Sequence, residues 1–301
     1  IFIVFKFFTK NIKIPHFKFT TSQLFHKSKA MLLLGATMSI TSMIVALTGF
    51  LIQIFIRTTD GLEAVGFYSA GFLIVNAYVG MIFSAMSTDY FPRLAAINTD
   101  NKKMNMAVNQ QADVAILLIT PVIVLFLSFA PVVVELLYSS KFNIIIGFVT
   151  FGVLGTFFKA VSFSLGYVII AKGHSKVFIT LSVVFNSVFL IISIISYNIG
   201  GLTGLGIGFL IYYFLHFIVL KVLTNYLYQI RFSRGFYRTF LICAIICCSC
   251  FMATLIETVY IRYLLMLVLI IFSLLYTLKQ FDKKMDLKLF LKSIFQKETK
   301  D

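Results

Sequence analysis

The chain has 301 residues, 60% of them hydrophobic and only 12% charged, against roughly 25% charged in an ordinary soluble domain. Its mean hydropathy is +0.98. A water-soluble globule is excluded, because continuous apolar runs of about 20 residues or more belong in lipid. An outer-membrane barrel is excluded as well, since its segments alternate apolar and polar residues over about 10 positions. The net charge of +15 raises the question of nucleic acid. The 26 Lys and Arg are scattered between apolar spans, however, as in the cytoplasmic loops of a membrane protein, so no nucleic-acid partner is expected.

The fold class that follows is all-α: a membrane-integral, polytopic helical bundle of about eight transmembrane helices. In chain order, residues 1–8 read as the last two turns of a membrane helix begun upstream, so the chain is expected to be a fragment. Lys10, Lys13, Lys18, Lys27 and Lys29 follow this stub, the reverse of the order in a signal peptide. Residues 1–30 are thus a helix end and a basic linker. Spans are expected at about 31–56, 64–87, 112–137, 143–170, 175–198, 202–228, 239–258 and 261–278, with a basic tail over 279–301. The longest loop, about 88–111, carries Asp89, Arg93, Asp100, Lys102 and Lys103.

Counting Lys and Arg on alternate sides of these spans gives 21 on the side that holds both ends of the chain. The other side has three, Arg57, Lys141 and Arg262. The basic side belongs in the cytoplasm, which places both termini inside. The outer connections are short, at 58–63, 138–142, 199–201 and near Val259.

Packing devices are legible inside the spans. Gly200, Gly204 and Gly208 recur every four residues, so a neighbouring backbone is expected against that face. Pro121 and Pro131 fall in one span, where each frees a carbonyl one turn earlier and a kink is expected. Cys243, Cys247, Cys248 and Cys250 share one span and read as small apolar filler rather than a disulfide frame or a zinc site.

Chemistry is sought among charges buried in lipid. Lys159 lies 16 residues after Asn143 and 12 before Ala171, roughly 18 to 24 Å from either end of its span and too deep to snorkel. No carboxylate stands at its depth, since Asp89, Asp113 and Glu135 are near span ends. Its partner is therefore water, backbone carbonyls, a part of the protein outside this chain, or an anionic substrate. Arg57 closes the first span beside Asp60 and Glu63, with which it is expected to pair. Gln53, Asn76 and Asn186 are polar residues within spans that glue helices or line a cavity. His216 reads as a hydrogen-bonding group of the bundle, and Lys221 as an interfacial lysine. No GxxxxGK[ST], HExxH or GxSxG motif and no pair of buried carboxylates is present, so no enzyme activity, cofactor or metal is expected.

Specific runs add a resemblance. Asp60-Gly61-Leu62-Glu63-Ala64-Val65-Gly66-Phe67-Tyr68-Ser69-Ala70-Gly71, then Ile82-Phe83-Ser84-Ala85-Met86-Ser87-Thr88-Asp89-Tyr90-Phe91-Pro92-Arg93-Leu94, and further Leu136-Leu137-Tyr138-Ser139-Ser140-Lys141-Phe142 and Ala171-Lys172-Gly173-His174-Ser175-Lys176, resemble the bacterial polysaccharide (O-antigen) flippases. These belong to the superfamily that also holds the multidrug exporters. The resemblance is densest from 57 to 176. It implies two six-helix lobes around a cavity, with 31–228 here as the second lobe, 229–278 as two additional helices, and the first lobe missing. It further implies an undecaprenyl-pyrophosphate-linked oligosaccharide as substrate, the missing N-terminal lobe and the polysaccharide polymerase machinery as partners, and residence in the bacterial inner membrane. Lys159, Arg57, Asn76 and Gln53 are the candidate substrate-cavity residues. An exporter of small amphipathic compounds and a non-transporting membrane scaffold are the competing functions.

Overall fold

A computed structural model describes residues 21–285, with side chains described for 32–76 and 80–284. The expected helix end at 1–8 and most of the basic tail lie outside the described residues. The described residues form α1 (Thr21–Leu73), a π-helical turn (Ile74–Tyr78), α2 (Val79–Ala96), α3 (Asn101–Leu137), a 3-10 turn (Ser140–Ile145), α4 (Ile146–Ala171), α5 (Ser175–Tyr228), α6 (Arg234–Thr254) and α7 (Val259–Met285).

Six of the helical stretches are long and apolar enough to cross a membrane. Two are far too long to cross once. Leu32–Asn76 has 45 residues and Ser175–Tyr228 has 54, about 68 and 81 Å at 1.5 Å per residue, against about 30 Å of hydrocarbon. Both break at glycine. Gly61 takes φ 84, ψ −173, and Gly201 takes φ 56, ψ −139 after Gly200 at φ −143, ψ 21. A positive φ of this kind is open to glycine without a Cβ penalty. Split there, the six stretches give the eight expected segments.

The glycine stripe is partly corrected. A Cβ on either Gly204 or Gly208 would collide with Ser196 on the first half of α5, with its backbone at Gly204 and with its side chain at Gly208. Gly200 belongs to the break instead. The first half of α5 therefore packs back against the second, which a three-member stripe on one straight helix does not describe.

The expected loop at 88–111 is also corrected. α2 runs to Ala96 and α3 begins at Asn101, leaving only 97–100 between them. Asp100 makes this sharp start possible as an N-cap, its carboxylate accepting the amides of Lys102 and Lys103, each at 3.0 Å. The Lys103 amide first, then the Lys103 charge and the Lys102 amide, hold that carboxyl below the usual aspartate range.

The connections sort into two sets, as the charge count had sorted them. At one end Asn98 Nδ2 donates to the Ala171 carbonyl at 3.2 Å, and Lys172 Nζ donates to the Asn98 carbonyl and to Asn101 Oδ1. At the same end Asn105 and Asn109, one turn apart on α3, accept from the amides of Arg231 and Ser233, each at 2.7 Å. They thereby fix the turn between α5 and α6. At the opposite end Tyr197 OH donates to Asp60 Oδ2 at 2.6 Å, joining the two glycine breaks.

α4 is the centre of the bundle. Sixteen of its 26 residues are buried, and it packs against α1, α2, α3, both halves of α5, and α6. Gly155 and Gly206 let α4 and α5 approach closely: a Cβ on Gly206 would stand 2.7 Å from the Phe148 carbonyl oxygen, and one on Gly155 3.2 Å from Leu210 Cα.

α3 continues as helix through Pro121 and Pro131. Pro121 has no N–H for the Leu117 carbonyl, and the Thr277 hydroxyl of α7 donates to that carbonyl instead, at 3.2 Å. α7 is further tied down by Lys284, which pairs with Asp113 at 2.6 Å and donates to Thr239 at 3.0 Å. The cysteines are free, three of them buried between α3 and α6 or beside them, in keeping with apolar filler.

Candidate functional site

Lys159 stands 13 residues after the first residue of α4 and 12 before the last, so about 20 Å of helix separates it from either end. Its ammonium donates to Asn76 Oδ1 at 2.8 Å and lies over the Tyr213 ring, 5.2 Å from the centroid. Among the described residues no carboxylate pairs with it; the ion pairs there are Lys103–Asp100 and Lys284–Asp113. Asn76 occupies the middle of the π-helical turn, a widened turn of the kind found at functional positions. Its own Nδ2 donates to the Phe72 carbonyl at 3.3 Å.

Lys159 opens onto a partly open cavity of about 370 Å³ lined by α2, α4 and both halves of α5. The apolar wall includes Phe83, Phe163, Phe178 and Phe185, and the polar groups are Lys159, Ser162, Asn186, Tyr212, Tyr213 and His216. No aspartate or glutamate lines it. His216 departs from the expected role of a bundle hydrogen bond. Its ring packs 4.2 Å from the Phe185 centroid, and its Nδ1 is buried without a hydrogen-bond partner. Ser162, three residues after Lys159, is 2% exposed, and its hydroxyl likewise has no partner.

Of the four residues singled out from the sequence, Lys159 and Asn76 are brought together and the other two are not. Arg57 is exposed, and the expected pairing with Asp60 and Glu63 is absent. Asp60 is instead engaged by Tyr197, because the two glycine breaks meet there. Gln53 is half-buried on α1 and lines neither the Lys159 cavity nor the outer one beside Asp60. Lys221 lies 4.9 Å from the Tyr237 centroid, at the contact of α5 with α6.

Ser162, Tyr212 and Tyr213 were missed. The one available signal was spacing, since Ser162 falls at i+3 from Lys159 on a helix and so shares its face. Nothing in the sequence tells that the second half of α5 lies across from that face.

Comparison with known proteins follows the same line. Residues 2–147 match the family described as polysaccharide biosynthesis protein. The fold is one that a lipid flippase also adopts. It is similar to the solved structure of lipid II flippase MurJ in its inward closed conformation, with a TM-score of 0.61 at 17% sequence identity. The match covers 94% of this chain and 59% of MurJ, so the chain spans less than two thirds of that protein. At such identity the likeness is one of fold. A comparison with curated proteins finds no match. Family match and fold are both consistent with the polytopic helical membrane protein expected from the sequence. Asn76 and Arg57 lie within the family match, and Lys159 lies beyond it.

Proposed function

We propose that this chain belongs to a flippase that moves an undecaprenyl-pyrophosphate-linked oligosaccharide, an O-antigen or other surface polysaccharide repeat unit, across the bacterial inner membrane. Transport proceeds by alternating access, with residues 31–228 acting as one six-helix lobe and a further lobe as its partner. Residues 229–278 are two additional helices docked on α3. Both ends of the chain face the cytoplasm, on the basic side. The polymerase that extends the polysaccharide is the expected downstream partner.

The observation that carries this reading is Lys159, a cation at the centre of the central helix, held by an amide and a ring face with no carboxylate beside it. A charge at that depth is costly unless it meets a counter-charge or water, and a pyrophosphate supplies the counter-charge once per cycle. The absence of any lining carboxylate disfavours an exporter driven by a buried acid. In the complete transporter, Lys159→Gln and Lys159→Ala should cripple surface display of polysaccharide at matched protein level. Lys159→Arg should keep part of it. Normal display with Lys159→Gln refutes the reading and leaves the residue a structural hydrogen bonder.

A further inference from the structure

Setting aside Asp113 Oδ1, which is ion-paired with Lys284, five buried side-chain polar atoms among the described residues have no hydrogen-bond partner, and two of them, Ser162 Oγ and His216 Nδ1, belong to walls of the one cavity that also holds Lys159. A buried polar group left unpaired costs about 1–3 kcal/mol, so two such groups around one cavity mark a place where partners are expected to arrive. Their chemistry specifies the partner. An ammonium has three donors and no acceptor, and Asn76 uses one of the three on Lys159. The Ser162 hydroxyl is a further donor, His216 is another in the tautomer that carries its proton on Nδ1, and no carboxylate competes with an incoming anion. Size narrows it further. About 370 Å³ admits an anion of diphosphate size, and the partly open mouth lets the rest of a larger ligand extend outward. The faces of Tyr212 and Tyr213 line the remainder.

We propose that Lys159, Ser162 and His216 form a diphosphate-binding subsite that is complete within this chain and needs no second lobe. The proposal rests on the flippase reading for the kind of anion. It goes beyond that reading in naming Ser162 and His216 as ligand-binding residues and in placing the site inside one lobe. The diphosphate can come from a lipid headgroup or from free inorganic pyrophosphate, and the test separates the two.

The chain is purified in nanodiscs, and binding is measured by calorimetry and by thermal shift with inorganic pyrophosphate, farnesyl diphosphate, farnesyl monophosphate and chloride as probes. Both diphosphates should bind, and the monophosphate and chloride at least tenfold more weakly; a preference for farnesyl diphosphate assigns the site to a lipid headgroup. Ser162→Ala and His216→Phe should each weaken diphosphate binding about tenfold, the loss of a hydrogen bond to a charged group. The same variants should leave the ligand-free melting temperature unchanged or raised, because each removes an unsatisfied polar atom while Phe keeps the ring packed against Phe185. A lowered ligand-free melting temperature with unaltered binding assigns these residues a structural role and overturns the proposal. So does a wild-type chain that binds neither diphosphate, and it does so even if Lys159→Gln abolishes polysaccharide display, which keeps this failure distinct from failure of the flippase reading.

Discussion

Replacing Thr277 by Val tests whether α7 is held to α3 by repair of a proline defect. The hydroxyl of Thr277 reaches the Leu117 carbonyl at 3.2 Å, slightly beyond the usual O–H···O range. Leu117 is 1% and Thr277 6% exposed, so water cannot substitute. Four residues on, Pro121 has no N–H to give. Interhelical hydrogen bonds in membranes average about 0.6 kcal/mol and reach about 1.7, and a stranded buried acceptor costs about 1–3 kcal/mol. The nearly isosteric Thr277→Val should therefore destabilise by about 1–1.5 kcal/mol. In a Pro121→Ala background the backbone amide at 121 can close on Leu117, and the same change should then cost under about 0.5 kcal/mol. The difference, a coupling of about 1 kcal/mol, is read from reversible SDS unfolding in mixed micelles followed by circular dichroism. Equal cost in both backgrounds would refute the argument, as would no cost in the proline background.

Two further outcomes concern the packing and the sidedness of the bundle. Gly206→Ala sets a Cβ 2.7 Å from the Phe148 carbonyl oxygen and 2.8 Å from Phe148 Cα, both backbone. It should destabilise by about 1–3 kcal/mol and weaken pyrophosphate binding by displacing Tyr213 and His216, whereas Gly66→Ala, with nothing within 4 Å, should be neutral or stabilising by up to about 1 kcal/mol. In a background lacking the native cysteines, an impermeant maleimide applied to intact cells should label Ser140→Cys and spare Thr99→Cys; labelling of Thr99→Cys means that the orientation is inverted.

Most of the architecture was legible because each crossing is a continuous apolar run whose length is fixed by the bilayer. The glycine breaks were legible only as short polar gaps, since a positive φ at Gly61 or Gly201 leaves no mark beyond the glycine itself. The 97–100 turn was read as a long loop because charges were taken for coil. A helix that runs past the hydrocarbon carries charges too, and Asp100 with two lysines after it was a cap signal that the polarity of the segment concealed. Lys159 was legible because a lone charge in an apolar helix stands out, and Asn76 because a polar residue does. Arg57 and Gln53 were grouped with them by residue type alone, and type does not say which way a helix faces.

The cavity itself depends on how α4 and the second half of α5 separate along their length. They touch through glycine at one end, where Gly206 lies on Phe148 and Gly155 on Leu210. From Lys159 onward the facing positions are Ser162, Gly166 and Tyr167 on α4 and Tyr212, Tyr213 and His216 on α5, and here the helices enclose open space. Aromatic rings wide enough to hold two backbones apart, with small residues between them, produce a gap that apolar side chains could have filled. The chain instead places a lysine, an unpaired hydroxyl and an unpaired imidazole nitrogen around it. Each of these is costly to bury without a full set of partners, and on the proposed reading anionic oxygens in the gap would offset all three at once. On the proposed reading, this is how the central lysine would serve transport: the donors around the gap bind an anionic cargo by exchanging an unpaired state for a paired one.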